Sequence, residues 1–387
     1  MPVIFAVMSL LSYIIWNGSK DIFTIGSFEL RWYGLLFALG FLISQQILYY
    51  IYKKEGKPES DVDTLTIYMV VATIIGARLG HVIFYQPEII WEEPLSIFLP
   101  FEFSPFRFTG LQGLASHGGA IGILTAIWLY SRKRKPGQNY FQVVDRIVIL
   151  VALTGALIRL GNFFNSEIIG LPTDSPVGVV FANHLTESLE DERFDPQGIV
   201  ETVAFRKNGE DTVDTAPGRV PVSVYVFFNQ GVQEQQARQM IEITTNGLLS
   251  NTLYEYFDEG NRTLDYDLTA GEDGRLAAKI NTLAIARHPA QLYESISCVF
   301  LFILLFMIWN KYREKLPTGR LFGIFLIVCF GLRFLYEFLK ENQVSFEDKL
   351  PLNMGQILSI PLVIAGVIIL VYSYRGKHDR TPQKVKS

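Results

Sequence analysis

One arginine stands inside an apolar stretch and is followed closely by polar side chains. The stretch reads Leu157-Ile-Arg-Leu-Gly-Asn-Phe-Phe-Asn-Ser-Glu-Ile-Ile-Gly170. Arg159 and Asn162 are three positions apart, so on a helix they share one face, and a guanidinium fork and a carboxamide can converge on one ligand. The alternative is an arginine that snorkels to a membrane surface beside amides that cap a helix end. Because snorkelling needs no polar neighbours such as Asn165 and Glu167, the pattern favours a phosphate site.

A second arginine lies four residues before a glutamate in another apolar run. Arg333 and Glu337 occur in Gly331-Leu-Arg-Phe-Leu-Tyr-Glu-Phe-Leu-Lys340. This spacing predicts an ion pair on one helix face. The pair is either purely structural, or it holds Arg333 toward a second oxygen of the same phosphate.

A histidine and a tyrosine mark the starts of two other apolar runs. His117 lies in Ala115-Ser-His-Gly-Gly119, where glycines let a ligand approach the imidazole closely. A histidine with a pKa near 6.5 is mostly a free base at neutral pH and could take a thiol proton. Tyr33 could face the same site. The alternatives are a buried histidine in a close helix seam and an aromatic residue of the interfacial belt.

Further polar residues enter the apolar runs with less definite roles. Gln291, Tyr293 and Glu294 follow Pro289 at a helix start and are interpreted as polar support for the site or as a helix cap. Arg78 lies deeper in its run and is as suited to holding helices together as to catalysis.

The sequence lacks the motifs that are typical of several common kinds of catalytic site. The sequence has no Gly-rich phosphate loop, His/Cys metal cluster or Ser-His-Asp elbow. We therefore expect no metal, no cofactor and no nucleic-acid partner. The available groups suit an anionic lipid headgroup that is held, neutralised as it leaves, and exchanged for a nucleophile from a second substrate.

Seven apolar runs are long enough to position these residues across a bilayer. The chain has 387 residues, of which 49% are hydrophobic and 13% aromatic, a composition typical of a membrane protein. A helix needs about 20 apolar residues to cross. The predicted spans are Trp32–Tyr52, Leu65–Tyr85, Gly113–Tyr130, Val143–Phe164, Ala290–Trp309, Leu321–Leu339 and Met354–Tyr374.

The charges of the connecting loops alternate along the chain. Every second connection is basic, with the lysines and arginines that follow the first, third, fifth and seventh spans. By the positive-inside rule these loops are cytoplasmic, the N-terminus is outside and the C-terminus is inside. Residues 32–170 then hold spans one to four, and residues 287–374 hold spans five to seven. Residues 375–387 form a basic cytoplasmic tail.

The two regions outside the spans differ in kind. Residues 1–31 include an apolar stretch, Pro2–Trp16, which we expect to be interfacial or re-entrant. Residues 171–286 carry about 19 acidic residues against about 8 basic ones. Runs at Glu201–Arg206 and Val220–Phe228 predict strands, and Gln233–Leu249 predicts a helix. The fold expected is thus all-α and polytopic, with seven transmembrane helices and a small α+β periplasmic insert.

The residues quoted above resemble those of bacterial prolipoprotein diacylglyceryl transferases. The similarity extends over all seven spans, and the Arg-Leu-Gly-Asn-Phe-x-Asn-x-Glu stretch is its most specific part. The resemblance implies a multi-pass enzyme of the bacterial inner membrane. Such an enzyme transfers the sn-1,2-diacylglyceryl group from phosphatidylglycerol to the lipobox cysteine of a prolipoprotein, forming a thioether and releasing sn-glycerol 1-phosphate. This is the first step of lipoprotein maturation.

The resemblance also implies roles for individual residues. Arg159 matches the arginine that binds phosphatidylglycerol, and Asn162, Glu167 and Gly170 match signature positions beside it. The positions needed for activity correspond to His117, Tyr33, Arg333 and Glu337.

Three features depart from the family pattern. Ser166 stands where the signature usually has glycine, and Cys329 stands where a tyrosine is common. The insert is much longer than in compact members, which could alter how preproteins dock.

Two other classes of protein fit parts of the sequence. A transporter or flippase for an anionic lipid would line its pathway with the same arginines, although no repeat symmetry is visible. An envelope scaffold would use its acidic insert to bind partners.

Overall fold

The computed structural model describes residues 13–25, 28–92, 94–97, 101–103, 106–108, 113, 115–208, 216–260, 263–341 and 350–375. The predicted interfacial stretch before Tyr13 and the basic tail after Arg375 lie outside the described residues. The chain divides into two compact units. The first consists of residues 1–37, 157–296 and 333–357, and the second of residues 38–156, 297–332 and 358–387.

Seven long helices are the largest elements of the described chain. They are α1 (Trp32–Lys54), α2 (Ser60–Tyr85), α4 (Ser116–Ser131), α5 (Tyr140–Phe164), α8 (Ala290–Tyr312), α9 (Arg320–Tyr336) and α10 (Met354–Arg375). Short elements lie between α2 and α4, namely α3 (Ile89–Glu92), a 3₁₀ turn at Pro94–Ile97 and the antiparallel pair β4 (Phe101–Phe103) and β5 (Phe106–Phe108). Each predicted span corresponds to one long helix.

Six of these helices are long and apolar enough to cross a membrane. The exception is α4, which has 16 residues and rises about 24 Å. This length falls short of a hydrocarbon core of about 30 Å. The architecture is therefore that of a polytopic membrane protein, and the count of seven spans stays a prediction that depends on α4.

In the second unit, glycines bring α2 and α4 into backbone contact. A Cβ added to Gly118 would lie 2.7 Å from the Cα of Gly80, and one added to Gly76 would lie 3.0 Å from the Cα of Gly122. Small residues at such a crossing allow close van der Waals packing where water-driven association is absent.

Buried charges also connect helices within the second unit. The Glu55 carboxylate, fully buried after α1, accepts hydrogen bonds from Arg146 of α5 at 2.7 Å and from the Trp309 indole of α8 at 2.8 Å. The Asp145 carboxylate accepts the backbone amides of Gly319 and Phe322 at 2.7 and 2.9 Å. Asp145 thereby caps the start of α9, where helix amides lack partners.

The insert belongs to the first unit and contains the largest sheet among the described residues. Its four antiparallel strands are ordered β7 (Val200–Lys207), β8 (Arg219–Phe228), β10 (Leu276–Ile285) and β9 (Asp265–Ala270). The helix α7 (Glu234–Gln239) continues through π-helical turns at Met240–Thr245 and Leu248–Thr252. The core between sheet and helix is apolar, with Val222, Val224 and Ile280 of the sheet and Ile241 and Leu249 of the helix fully buried.

The two predicted strands and the predicted helix of the insert are confirmed within a few residues. The strands β9 and β10 were not predicted.

The segment before α1 joins the insert through the backbone. The strand β1 (Ile14–Trp16) pairs in parallel with β6 (Val179–Phe181), which precedes α6 (Asn183–Leu189). The strands β2 (Asp21–Ile25) and β3 (Phe28–Arg31) pair in antiparallel fashion, and β3 leads directly into α1.

Candidate active site

The end of α5 carries the arginine that the sequence singled out. The Arg159 Nη1 donates to the Oδ1 of Asn162 at 3.3 Å, which confirms that the two side chains share a helix face. The Asn162 amide donates in turn to the Oε1 of Glu167 at 2.7 Å, and Asn165 donates to the same oxygen at 3.3 Å. The amides therefore fix the Glu167 carboxylate beside the arginine.

A tight turn follows α5. Ser166 and Ile168 have φ values of 53° and 57°, in the left-handed region that favours glycine. The buried Ser166 hydroxyl donates to Asn183 Oδ1 at 2.7 Å, and the Ser166 carbonyl lies 3.3 Å from the His184 Nε2. Burial lowers the pKa of His184, so the neutral ring is favoured there. The helix α6 of the insert thus holds the turn.

Gly170 closes this segment in a position with no room for a side chain. Its amide donates to the His288 carbonyl at 3.1 Å, and its carbonyl accepts Arg287 Nη1 at 3.1 Å. A Cβ on Gly170 would lie 2.5 Å from the His288 carbonyl oxygen and 2.8 Å from that of Leu339. Gly170 is therefore required for the chain to pass between these two segments.

Tyr33 packs against the same end of α5. A Cβ added to Gly161 would lie 2.9 Å from the Tyr33 ring, and Trp32 stacks on Phe164 with ring centroids 4.9 Å apart. The Tyr33 ring therefore lies against the helix segment that carries Arg159.

Arg159 also makes an ion pair with the start of α8. Its Nε lies 2.5 Å from the Oε2 of Glu294, whose side chain is 9% exposed. The other oxygen of Glu294 contacts the Lys340 ammonium. Gln291, one turn earlier, is buried and donates to the Glu167 carbonyl at 2.5 Å. The expectation that this helix start gives polar support to the arginine segment is confirmed for Gln291 and Glu294.

Arg333 and Glu337 form the predicted pair at the end of α9. The Arg333 Nε lies 3.6 Å from the Glu337 Oε1, which also accepts the Lys340 ammonium at 3.1 Å. The Asn353 amide donates to the other oxygen at 3.3 Å. A Cβ on Gly355 would lie 2.5 Å from the Glu337 carboxyl carbon, so this glycine makes room for the carboxylate.

These contacts join the two arginines through one series of ion pairs, which we call the charge chain. Its members are Arg159, Glu294, Lys340, Glu337 and Arg333, in that order. All five lie in the first unit. The five members of the charge chain comprise three positive and two negative groups.

His117 lies in the second unit, at the start of α4, and not among the residues of the charge chain. Its ring contacts Phe84 edge-on, with centroids 5.0 Å apart, and lies 6.1 Å from Tyr85. Arg78 is in the same unit and donates from Nε to the Ile97 carbonyl at 3.1 Å. The role of His117 as a base stays a prediction.

Lys340 and Arg287 are the site residues that sequence reasoning missed. Lys340 contacts two carboxylates, and Arg287 donates to Gly170, to Glu341 and to the Glu255 carbonyl. Both are almost completely buried. For Lys340, the signal in the sequence was its position three residues after Glu337, which also fits an ordinary surface residue.

The helices and the charge chain define a class of protein, namely a polytopic membrane protein with arginines suited to binding an anion. The profile of the family described as prolipoprotein diacylglyceryl transferase matches residues 20–372. The chain belongs to this family.

Three relatives are each called phosphatidylglycerol–prolipoprotein diacylglyceryl transferase. The protein of Tolumonas auensis is 31% identical over 364 residues, 94% of this chain and 99% of the relative. That of Bacteroides fragilis is 32% identical over 372 residues, 95% of this chain and 98% of the relative. That of Chloroherpeton thalassium is 33% identical over 368 residues, 95% of this chain and 97% of the relative.

Proposed function

We propose that this protein transfers the sn-1,2-diacylglyceryl group from phosphatidylglycerol to the lipobox cysteine of a prolipoprotein, as the first step of lipoprotein maturation. The cysteine sulfur forms a bond to the glyceryl carbon while that carbon's bond to the phosphate oxygen breaks. The products are a thioether and sn-glycerol 1-phosphate. The observation that supports this assignment, beside family membership, is the charge chain that joins Arg159 to Arg333.

The reaction changes the charge at the phosphate, and this change indicates what the arginines do. A phosphodiester carries one negative charge, and the departing monoester gains a second as the carbon–oxygen bond breaks. Preorganised guanidinium groups favour the state with more negative charge, so they lower the barrier beyond their contribution to binding. Arg159 and Arg333 fill this role in the proposal.

The remaining predicted site residues serve these two arginines or the thiol. Asn162, Glu167 and Gly170 maintain the Arg159 segment, and Glu337 pairs with Arg333 before the lipid binds. Tyr33 borders the headgroup, and His117 accepts the thiol proton. A thiol has a pKa near 8.5, so a neutral imidazole increases the fraction of thiolate that attacks.

The proposal includes a placement in the bilayer. We place the protein in the bacterial inner membrane with its N-terminus in the periplasm, its C-terminus in the cytoplasm and α4 as the third of seven spans. Residues 171–286 form the periplasmic insert. The alternating basic loops support this orientation.

Reconstitution with defined substrates tests the reaction. Proteoliposomes of purified protein and phosphatidylglycerol are incubated with a lipobox peptide, and the peptide mass is measured. We expect diacylglyceryl peptide to form equally in EDTA. A transporter or scaffold would leave the peptide unmodified, which would overturn the proposal, and a requirement for zinc after chelation would overturn its metal-free form.

Two substitutions test the role of Arg159. Arg159→Ala should abolish phosphatidylglycerol binding, whereas Arg159→Lys should retain part of it, because an ammonium keeps the charge but loses the bidentate geometry. Arg238→Ala is the matched control, since Arg238 forms an exposed pair with Glu234 on the insert. Equal lipid affinity in wild type and Arg159→Ala would contradict the assignment.

A further inference from the structure

Lys340 is a buried lysine between two buried carboxylates. Its side chain is 4% exposed, while those of Glu294 and Glu337 are 9% and 11% exposed. Lys340 directly follows the 3₁₀ turn Glu337–Leu339, and its backbone is held in a bridge with Gly170. The ammonium is thus fixed by the chain on both sides, and its position does not depend on a ligand.

The arginines on either side are more exposed than Lys340, whose side chain is 4% exposed. The Arg333 Nε lies 3.6 Å from Glu337, beyond hydrogen-bond distance, and the Arg333 side chain is 38% exposed. The Arg159 side chain is 23% exposed, and its Nε is the atom that contacts Glu294. Each arginine can therefore turn toward a ligand, provided that its glutamate keeps another positive partner.

Releasing an arginine has an electrostatic cost that Lys340 can offset. A buried carboxylate without a positive partner is strongly unfavourable, so a glutamate paired with one arginine alone would compete with phosphate for it. Glu294 and Glu337 each contact Lys340 as well as their own arginine. One ammonium therefore remains beside both carboxylates when both arginines leave.

We propose that Lys340 is a positioning residue that acts as the resident counterion of Glu294 and Glu337 and so frees Arg159 and Arg333 to bind the lipid phosphate. This inference rests on the proposed function and adds to it the exchange of partners that phosphatidylglycerol binding requires. In the lipid-free protein the arginines pair with the glutamates. In the lipid complex they pair with the phosphate, and Lys340 alone neutralises the glutamates.

Kinetics with phosphatidylglycerol as the varied substrate test this role. Lys340→Met should raise the KM for phosphatidylglycerol about tenfold or more and change kcat less than threefold, because the arginines stay bound to the carboxylates. Lys340→Arg should keep KM within about threefold of wild type. The control is Lys20→Met, which removes a half-exposed pair with Glu187 outside the charge chain and should leave both constants unchanged. A Lys340→Met protein with unchanged KM would overturn the proposal.

A second substitution separates a counterion from a merely structural lysine. In a background that carries both Glu294→Gln and Glu337→Gln, no carboxylate of the charge chain remains to hold either arginine, so adding Lys340→Met should weaken phosphatidylglycerol binding less than threefold. If the single Lys340→Met variant does not fold, this double background with and without Lys340→Met still decides the matter. A tenfold difference between these two proteins would contradict the counterion role.

Failure of the inference and of the proposed function are distinguishable. If the wild-type protein makes no thioether, the proposed function fails. If it makes thioether while Lys340→Met behaves like wild type, only the counterion role fails.

Discussion

Ser166 shows how one residue can balance two opposing effects at the site. It lies at φ 53°, a conformation that costs a residue with a side chain about 1–2 kcal/mol. Its buried hydroxyl donates to Asn183 at 2.7 Å, and a hydrogen bond of this kind contributes about 1 kcal/mol. Ser166 stands where the family signature usually has glycine, and its contact with α6 of the insert therefore partly offsets its backbone strain.

Two substitutions at this position should have different effects on stability. Ser166→Gly removes strain and hydrogen bond together, so the free energy of unfolding should change by less than about 1 kcal/mol. Ser166→Ala keeps the strain and loses the bond, so it should be about 1 kcal/mol less stable. Thermal unfolding in detergent compares the two proteins. An alanine variant as stable as the glycine variant would show that the backbone is not strained.

Local spacing predicted only part of the residue-scale geometry. The pairs Arg159–Asn162 and Arg333–Glu337 followed from helix periodicity, because both partners lie within two turns of one element. The contacts of Glu294 with Arg159 and Lys340 join three separate segments. These three side chains come together through helix packing and the turn at residues 337–339. Neither feature gives a recognisable pattern in a single sequence.

At the scale of elements, the crossing of α2 and α4 depends on glycine. Gly118→Ala would place a Cβ 2.7 Å from the Cα of Gly80, where backbone cannot yield as a flexible side chain would. Overpacking of this kind costs about 1–3 kcal/mol. We expect a lower unfolding temperature and weakened activity, since His117 is the adjacent residue.

A second glycine is the control for helix propensity. Gly331 in α9 has no heavy atom within 4 Å of an added Cβ, so Gly331→Ala should be as stable as wild type or more stable, because alanine favours the helix by about 1 kcal/mol. Equal unfolding temperatures for Gly118→Ala and Gly331→Ala would show that the close crossing is not needed.

The long helices were predicted from the sequence more completely than the strands of the insert, for physical reasons. A span needs one long apolar run, so all seven runs correspond to helices within a few residues. The strands β9 and β10 were missed, because Asp265–Ala270 is an edge strand with a mostly exposed surface, and the buried positions of Leu276–Ile285 include Ala278, Thr282 and Ala284, whose small or polar side chains weaken the alternating pattern. The α7 helix was found, whereas its π-helical turns leave no periodic signal.

At the scale of the whole molecule, the orientation in the bilayer decides whether the site can meet its substrates. Lipobox cysteines reach the enzyme from the outer side in this proposal, and the acidic insert lies there as well. The same proposal puts the basic connections on the opposite side, where positively charged loops are retained during insertion. Lys133, in the basic connection after α4, and Asp267, on strand β9 of the insert, are both exposed and suit a test of sidedness.

Single cysteines at these positions should label from opposite sides. Asp267→Cys should react with a membrane-impermeant maleimide in intact spheroplasts, whereas Lys133→Cys should react only after the membrane is permeabilised. The native Cys298 and Cys329 lie within α8 and α9 and are only partly exposed, so the unsubstituted protein measures their background. Labelling of both variants in intact spheroplasts would place the insert and the basic loop on one side and exclude the proposed orientation.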